Sequence, residues 1–103
     1  MDNRLELHQI LIDIIGNNNV YFQPPSSIKL AYPCIIYKLS NFKITYADSI
    51  KYANMKSYEV TVIDQNPDSI IPGKLLELEY CQFNTFFTSD NLNHFVFSLF
   101  YKI

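Results

Sequence analysis

The chain has 103 residues and a mass of 12.1 kDa, with 49% hydrophobic and 17% charged residues. That size and balance specify one domain with one core, and exclude a disordered segment or a charged coiled coil. A net charge of −2 and a pI near 5.5 argue against a tight nucleic-acid binder, which needs a basic stripe.

A first helix is predicted from Asn3, which can cap it, with Glu6 reaching back in a capping box. Leu7, Ile10, Leu11, Ile14 and Ile15 recur at the spacing of one buried face. Glu6, Gln9 and Asp13 fall opposite, toward solvent, and Gly16-Asn17 supplies a left-handed stop. Leu5 and Ile12 share a third flank that needs cover from a loop or another subunit. Glu6 and Asp13 interrupt the apolar stretch and no small-residue cleavage site follows, so no signal peptide is expected. No run approaches the roughly twenty apolar residues of a membrane-spanning helix.

Val20–Gln23 is predicted to be short and extended, closed by the rigid Pro24-Pro25 corner. Cys34-Ile35-Ile36-Tyr37 is a continuous apolar run, as in a strand buried on both faces. Ser40 and Asn41 are expected to break it, after which Phe42, Ile44 and Tyr46 alternate with Lys43 and Thr45. The next strand is expected over Ser57–Asp64. Between them Ala47–Lys56 is polar, so residues 39–57 are predicted to make a projecting, hairpin-like excursion from the body.

Asn66-Pro67-Asp68-Ser69 signals a turn and a helix start, and Ile71, Leu75 and Leu78 form the stripe of a short second helix. Gln82–Thr88 and Asn93–Lys102 are predicted to pair antiparallel through Ser89-Asp90-Asn91-Leu92. The last strand is apolar on both faces, too much so for a solvent-facing edge. The expected fold is therefore α+β: a largely antiparallel or mixed β-sheet of four to six strands with two helices packed on one side. The whole chain, residues 1–103, is expected to be one domain.

Little of the sequence suggests chemistry. Two cysteines, at 34 and 81, are too few for a secreted disulfide scaffold, so reduced thiols are expected. Cys34 sits where a small buried hydrophobe is the default, and Cys81 is expected to close the second helix, where the dipole raises a thiol pKa. His8 and His94 have no second His or Cys at ligand spacing, so no metal site is expected. Asp90, Asn91, Asn93 and His94 cluster, more simply as polar turn residues than as ion ligands. Two isolated glycines make no phosphate cradle, and no cofactor or catalytic residue is expected. What remains is a surplus of aromatic residues for so small a body, eight Phe and eight Tyr. Tyr21, Tyr46 and Tyr52, expected in loops or arms, suit a subunit interface.

Several segments together resemble the tail-terminator (tail completion) proteins of long-tailed bacteriophages. They are Val20-Tyr21-Phe22-Gln23-Pro24-Pro25, Tyr32-Pro33-Cys34-Ile35-Ile36-Tyr37, Tyr46-Ala47-Asp48, Tyr58-x-Val60-Thr61-Val62-Ile63-Asp64, Pro67-Asp68-Ser69 and Asp90-Asn91-Leu92-Asn93-His94. The resemblance spans nearly the whole chain, and its motifs are structural rather than catalytic. It implies a virion structural protein: a homo-hexameric ring on the last ring of tail tube protein, stopping tube polymerisation and joining the tail to the head-completion (connector) proteins of the neck. A sheath protein joins these partners where the tail is contractile. DNA is expected to pass through without specific binding, and the site of action is the top of the tail, after assembly in the host cytoplasm. Interface candidates are Leu5, Ile12, Tyr21, Pro24, Pro25, Phe42, Tyr46, Asp48, Tyr52, Asp90, Asn91 and His94. On the residues alone, another neck subunit and a small cytosolic α+β binding module or enzyme remain open.

Overall fold

The computed structural model describes residues 3–47, 50–79 and 81–102, and the side chains among these except those of residues 3, 41–55 and 102. The elements run α1 (Asn3–Ile15), β1 (Val20–Phe22), β2 (Cys34–Ala47), β3 (Ile50–Asp64), α2 (Ile71–Leu75), β4 (Cys81–Ser89) and β5 (Leu92–Lys102). They build one five-stranded mixed sheet in the order β1-β2-β3-β5-β4, with β1 parallel to β2 and every other pair antiparallel. Both helices pack on one side: Leu7 and Leu11 of α1 and Ile71 and Leu75 of α2 meet Ile35, Tyr37, Tyr58, Val60, Val62, Phe97 and Leu99. This is the α+β architecture expected from the order of apolar patterns.

The helical period of α1 is realised at its centre, where Leu7 and Leu11 are fully buried, and Gly16 ends the helix at φ +80. Three details differ from expectation. Asn3 is the first residue of the helix, so the capping position falls before it, outside the described residues. Glu6 does not point to solvent, because its carboxylate accepts a 2.6 Å hydrogen bond from the Tyr101 hydroxyl of β5. Ile12 packs against the core while Leu5 stays 55% exposed, so the shared flank is divided.

Ser40 and Asn41 do not end β2. The register steps from Leu39↔Tyr58 to Asn41↔Ser57, leaving Ser40 as a bulge inside a continuous strand of 14 residues. Likewise β3 begins at Ile50 rather than Ser57, so most of the expected polar connection is strand. Because β5 reaches only Met55 of β3 and β1 reaches only Tyr37 of β2, residues 41–47 and 50–54 form a two-stranded arm flanked by no third strand among the described residues. The molecule is accordingly elongated, 47 × 26 × 23 Å.

The Asn66–Ser69 turn is held by its own side chains. Asp64 accepts from the Asn66 amide, Asn66 from that of Asp68, and Ser69 from that of Ile71. α2 stops at Leu75, and Leu78 lies in the following turn, still packed on the core. Cys81 therefore opens β4 rather than closing a helix, and the dipole argument for its thiol lapses. The β4–β5 hairpin turns on two residues, Asp90 and Asn91, both at positive φ (53 and 61). That is the backbone whose twist matches antiparallel strands, and Asp and Asn tolerate it best after glycine.

Candidate functional site

The side of the sheet away from the helices carries aligned rows of residues. Cys34 pairs with Ile63 and Ile63 with His94, which faces Phe87. Ile63 thus stands between the only fully buried cysteine and the nearest histidine in its row, and two strand spacings separate them by about 10 Å, beyond hydrogen-bond reach. Burial, with a further push from the Asp64 carboxylate, raises the Cys34 thiol to about 11, and burial also raises Cys81. Neither thiol is a ready nucleophile at neutral pH. His94 donates from Nδ1–H to the Leu92 carbonyl (3.2 Å) and stacks on Phe87 at 4.5 Å, 13° between planes.

His8 is equally occupied. It faces the buried Tyr37 hydroxyl, and burial together with the nearby Arg4 guanidinium lowers its pKa below 6.5. Among the described residues no group of three or more His, Cys, Asp or Glu is placed to hold a metal ion, and no helix is long and apolar enough to cross a membrane. A shallow cleft of ≈ 440 Å³ lies between the Pro24-Pro25 corner, Ile28 and Leu30 on one side and Ile36, Lys38 and Leu39 on the other, with largely apolar walls. Lys38 instead pairs with its cross-strand neighbour Glu59 at 3.3 Å, an exposed contact of small energetic weight.

The distinctive surface is the β4 edge. Every residue of Gln82–Ser89 is exposed, including Phe83 at 48%, and Phe86 and Phe87 at 46% each. The helices cover the centre of the sheet and leave β4 bare. Phe83 and Phe86, three apart, would face opposite ways in a regular strand. A bulge at Asn84, whose amide donates to Ser98 Oγ at 2.7 Å, brings both to the helix side over Phe97 and Phe95. Phe87 is left on the opposite face. Beyond that bulge the strand has no edge protection: Cys81–Ser89 contains neither a charged residue nor a proline.

The predicted interface residues are scattered over this body. Leu5 is exposed and Ile12 half-buried against the core. Tyr21 is in β1, half-buried, not in a loop. Pro24 and Pro25 line the cleft beside β1. Phe42, Tyr46 and Tyr52 have strand backbones in the arm, Tyr52 included, but their side chains lie outside the described residues, as does Asp48 altogether. Asp90, Asn91 and His94 gather at the tip of the β4–β5 hairpin. Phe83, Phe86 and Phe87 went unnoticed by the sequence reasoning. The available signal was the absence of charge and proline across nine residues at the edge of a hairpin. No protein-family model, curated protein or solved structure matches the chain.

Proposed function

We propose that the chain is a structural assembly subunit and not an enzyme: a tail terminator whose copies form a six-fold ring on the end of a phage tail tube. There it stops tube growth and presents a surface to the head-completion proteins of the neck. The observation that carries this reading is the β4 edge, nine uncharged residues with three half-exposed phenylalanines gathered on one strand. Monomeric proteins blunt such an edge; proteins that associate through it keep it bare. The order of sequence segments that resemble those of tail terminators supports the particular role.

A ring of like subunits joins patch to different patch around a rotation axis, so each copy needs two unlike surfaces. The β4 edge and the projecting arm are two such surfaces. Six copies at −2 each carry about −12, a sign that lets DNA slide through a central passage without adhering. Electron microscopy of particles assembled without this chain tests the proposal. Unjoined heads and overlong tubes are expected, whereas infectious virions with tails of normal length would reject it.

A further inference from the structure

We infer that the β4 edge of one copy receives the β2–β3 arm of a second copy, the arm adding its strands to the neighbour's sheet. The choice of a second copy as occupant rests on the ring reading above; the choice of surfaces rests on three observations.

The first is backbone. Among the described residues β4 has a strand partner on one side only, β5, so its outer row of amides and carbonyls faces away from the sheet. Among the described residues the arm strands likewise pair only with each other over residues 41–47 and 50–54. Each surface has what the other needs. The second is length: seven arm residues extend about 23 Å, which the nine residues of β4 accommodate.

The third is charge. Residues 41–54 hold Lys43 and Lys51 against Asp48, a net +1, and the rest of the chain holds six Lys or Arg against nine Asp or Glu, a net −3. A basic arm approaching an acidic body is attracted, whereas two bodies meeting through β4 edges would repel. β4 itself, uncharged, imposes no desolvated ion where the strands would meet. Arm-to-edge pairing is also head-to-tail, the kind of contact that closes a ring, whereas β4 against β4 would stop at a dimer.

Disulfide trapping tests this directly in a Cys81→Ser background, where Cys34 is shielded by burial. One batch carries Thr85→Cys on the edge; two others carry Thr45→Cys or Ala53→Cys, at positions whose backbones pair across the arm. Mixing the edge batch with an arm batch under mild oxidation is expected to give cross-linked pairs, with few from any batch alone. Self-linking of Thr85→Cys, or no linking to either arm position, overturns the inference. So does a wild-type chain that remains monomeric at about 1 mM. Lys43→Glu with Lys51→Glu makes the arm acidic and is expected to weaken association on the order of tenfold without moving the unfolding midpoint; unchanged association counts against the pairing. Particles lacking the chain test the ring role separately: trapped pairs with normal tails would keep the docking and discard that role, and overlong tubes without trapped pairs the reverse.

Discussion

The hydroxyl of Tyr37 lies 2.7 Å from Nδ1 of His8, tying α1 to β2 at a phenol with no exposure to solvent. Arg4 Nη1 donates to the same oxygen at 3.4 Å. The phenol proton is therefore directed to the imidazole, which accepts it only when neutral. Burial, and then the Arg4 charge, hold the folded-state pKa of His8 below 6.5. An unfolded chain protonates this histidine first as the pH falls through 6.5, so stability is fully present above that value and is lost below it, down to the folded pKa. Urea midpoints measured from neutral pH downward should fall through this window and fall less in His8→Gln. Equal slopes in the two proteins would show that another group carries the effect.

The parts of the fold legible in advance were those where a single period meets a single face. Leu7 and Leu11 belong by spacing alone to the buried face of α1, and both are fully buried. The β4–β5 pairing was legible for the same reason. Bulges were not legible: Ser40 looked like a strand break, yet one extra residue inside an antiparallel pair costs a strand little and redirects its side chains. The bulge at Asn84 is the more consequential, since it sets Phe83 and Phe86 side by side. Polar composition misled over Ile50–Lys56, where the backbone is strand although the sequence reads as a connection. Glu6 was placed toward solvent on helical geometry that takes no account of Tyr101, 95 residues away.

That contact sets a second expectation. Burial first, then the hydrogen bond and charge of Glu6, raise the Tyr101 phenol to about 12 from its ordinary 10. An unfolded phenol ionises first on the alkaline side, so the stability linked to this group is whole below pH 10 and is lost as the pH climbs toward 12. In an ultraviolet titration of the folded chain, Tyr101 should belong to the late-titrating fraction of the eight tyrosines. Glu6→Gln should move its transition downward, since the neutral amide removes both the charge and the strong acceptor. A titration curve identical in the two proteins would break the link between α1 and the end of β5.

Asn93 was grouped with Asp90, Asn91 and His94 as a polar turn residue, but it is buried and holds two strand ends together. Its side-chain amide donates to the carbonyls of Asp64 and Gln65, at 3.1 and 3.3 Å, where β3 leaves the sheet for the Asn66 turn. Asn93→Ala strips the donor from both carbonyls in a site with little water, a loss of about 1–3 kcal/mol. Asn93→Asp keeps the shape but sets a carboxylate, which cannot donate, against two carbonyl oxygens and beside the buried Asp64 with which it pairs across the strands. The aspartate variant should therefore be the less stable of the two at neutral pH and should recover part of the difference when acidified, as the carboxyl regains a proton to donate. Urea midpoints at neutral and acidic pH read both effects. If aspartate proves as stable as asparagine at neutral pH, the amide is not what fastens β5 to the end of β3.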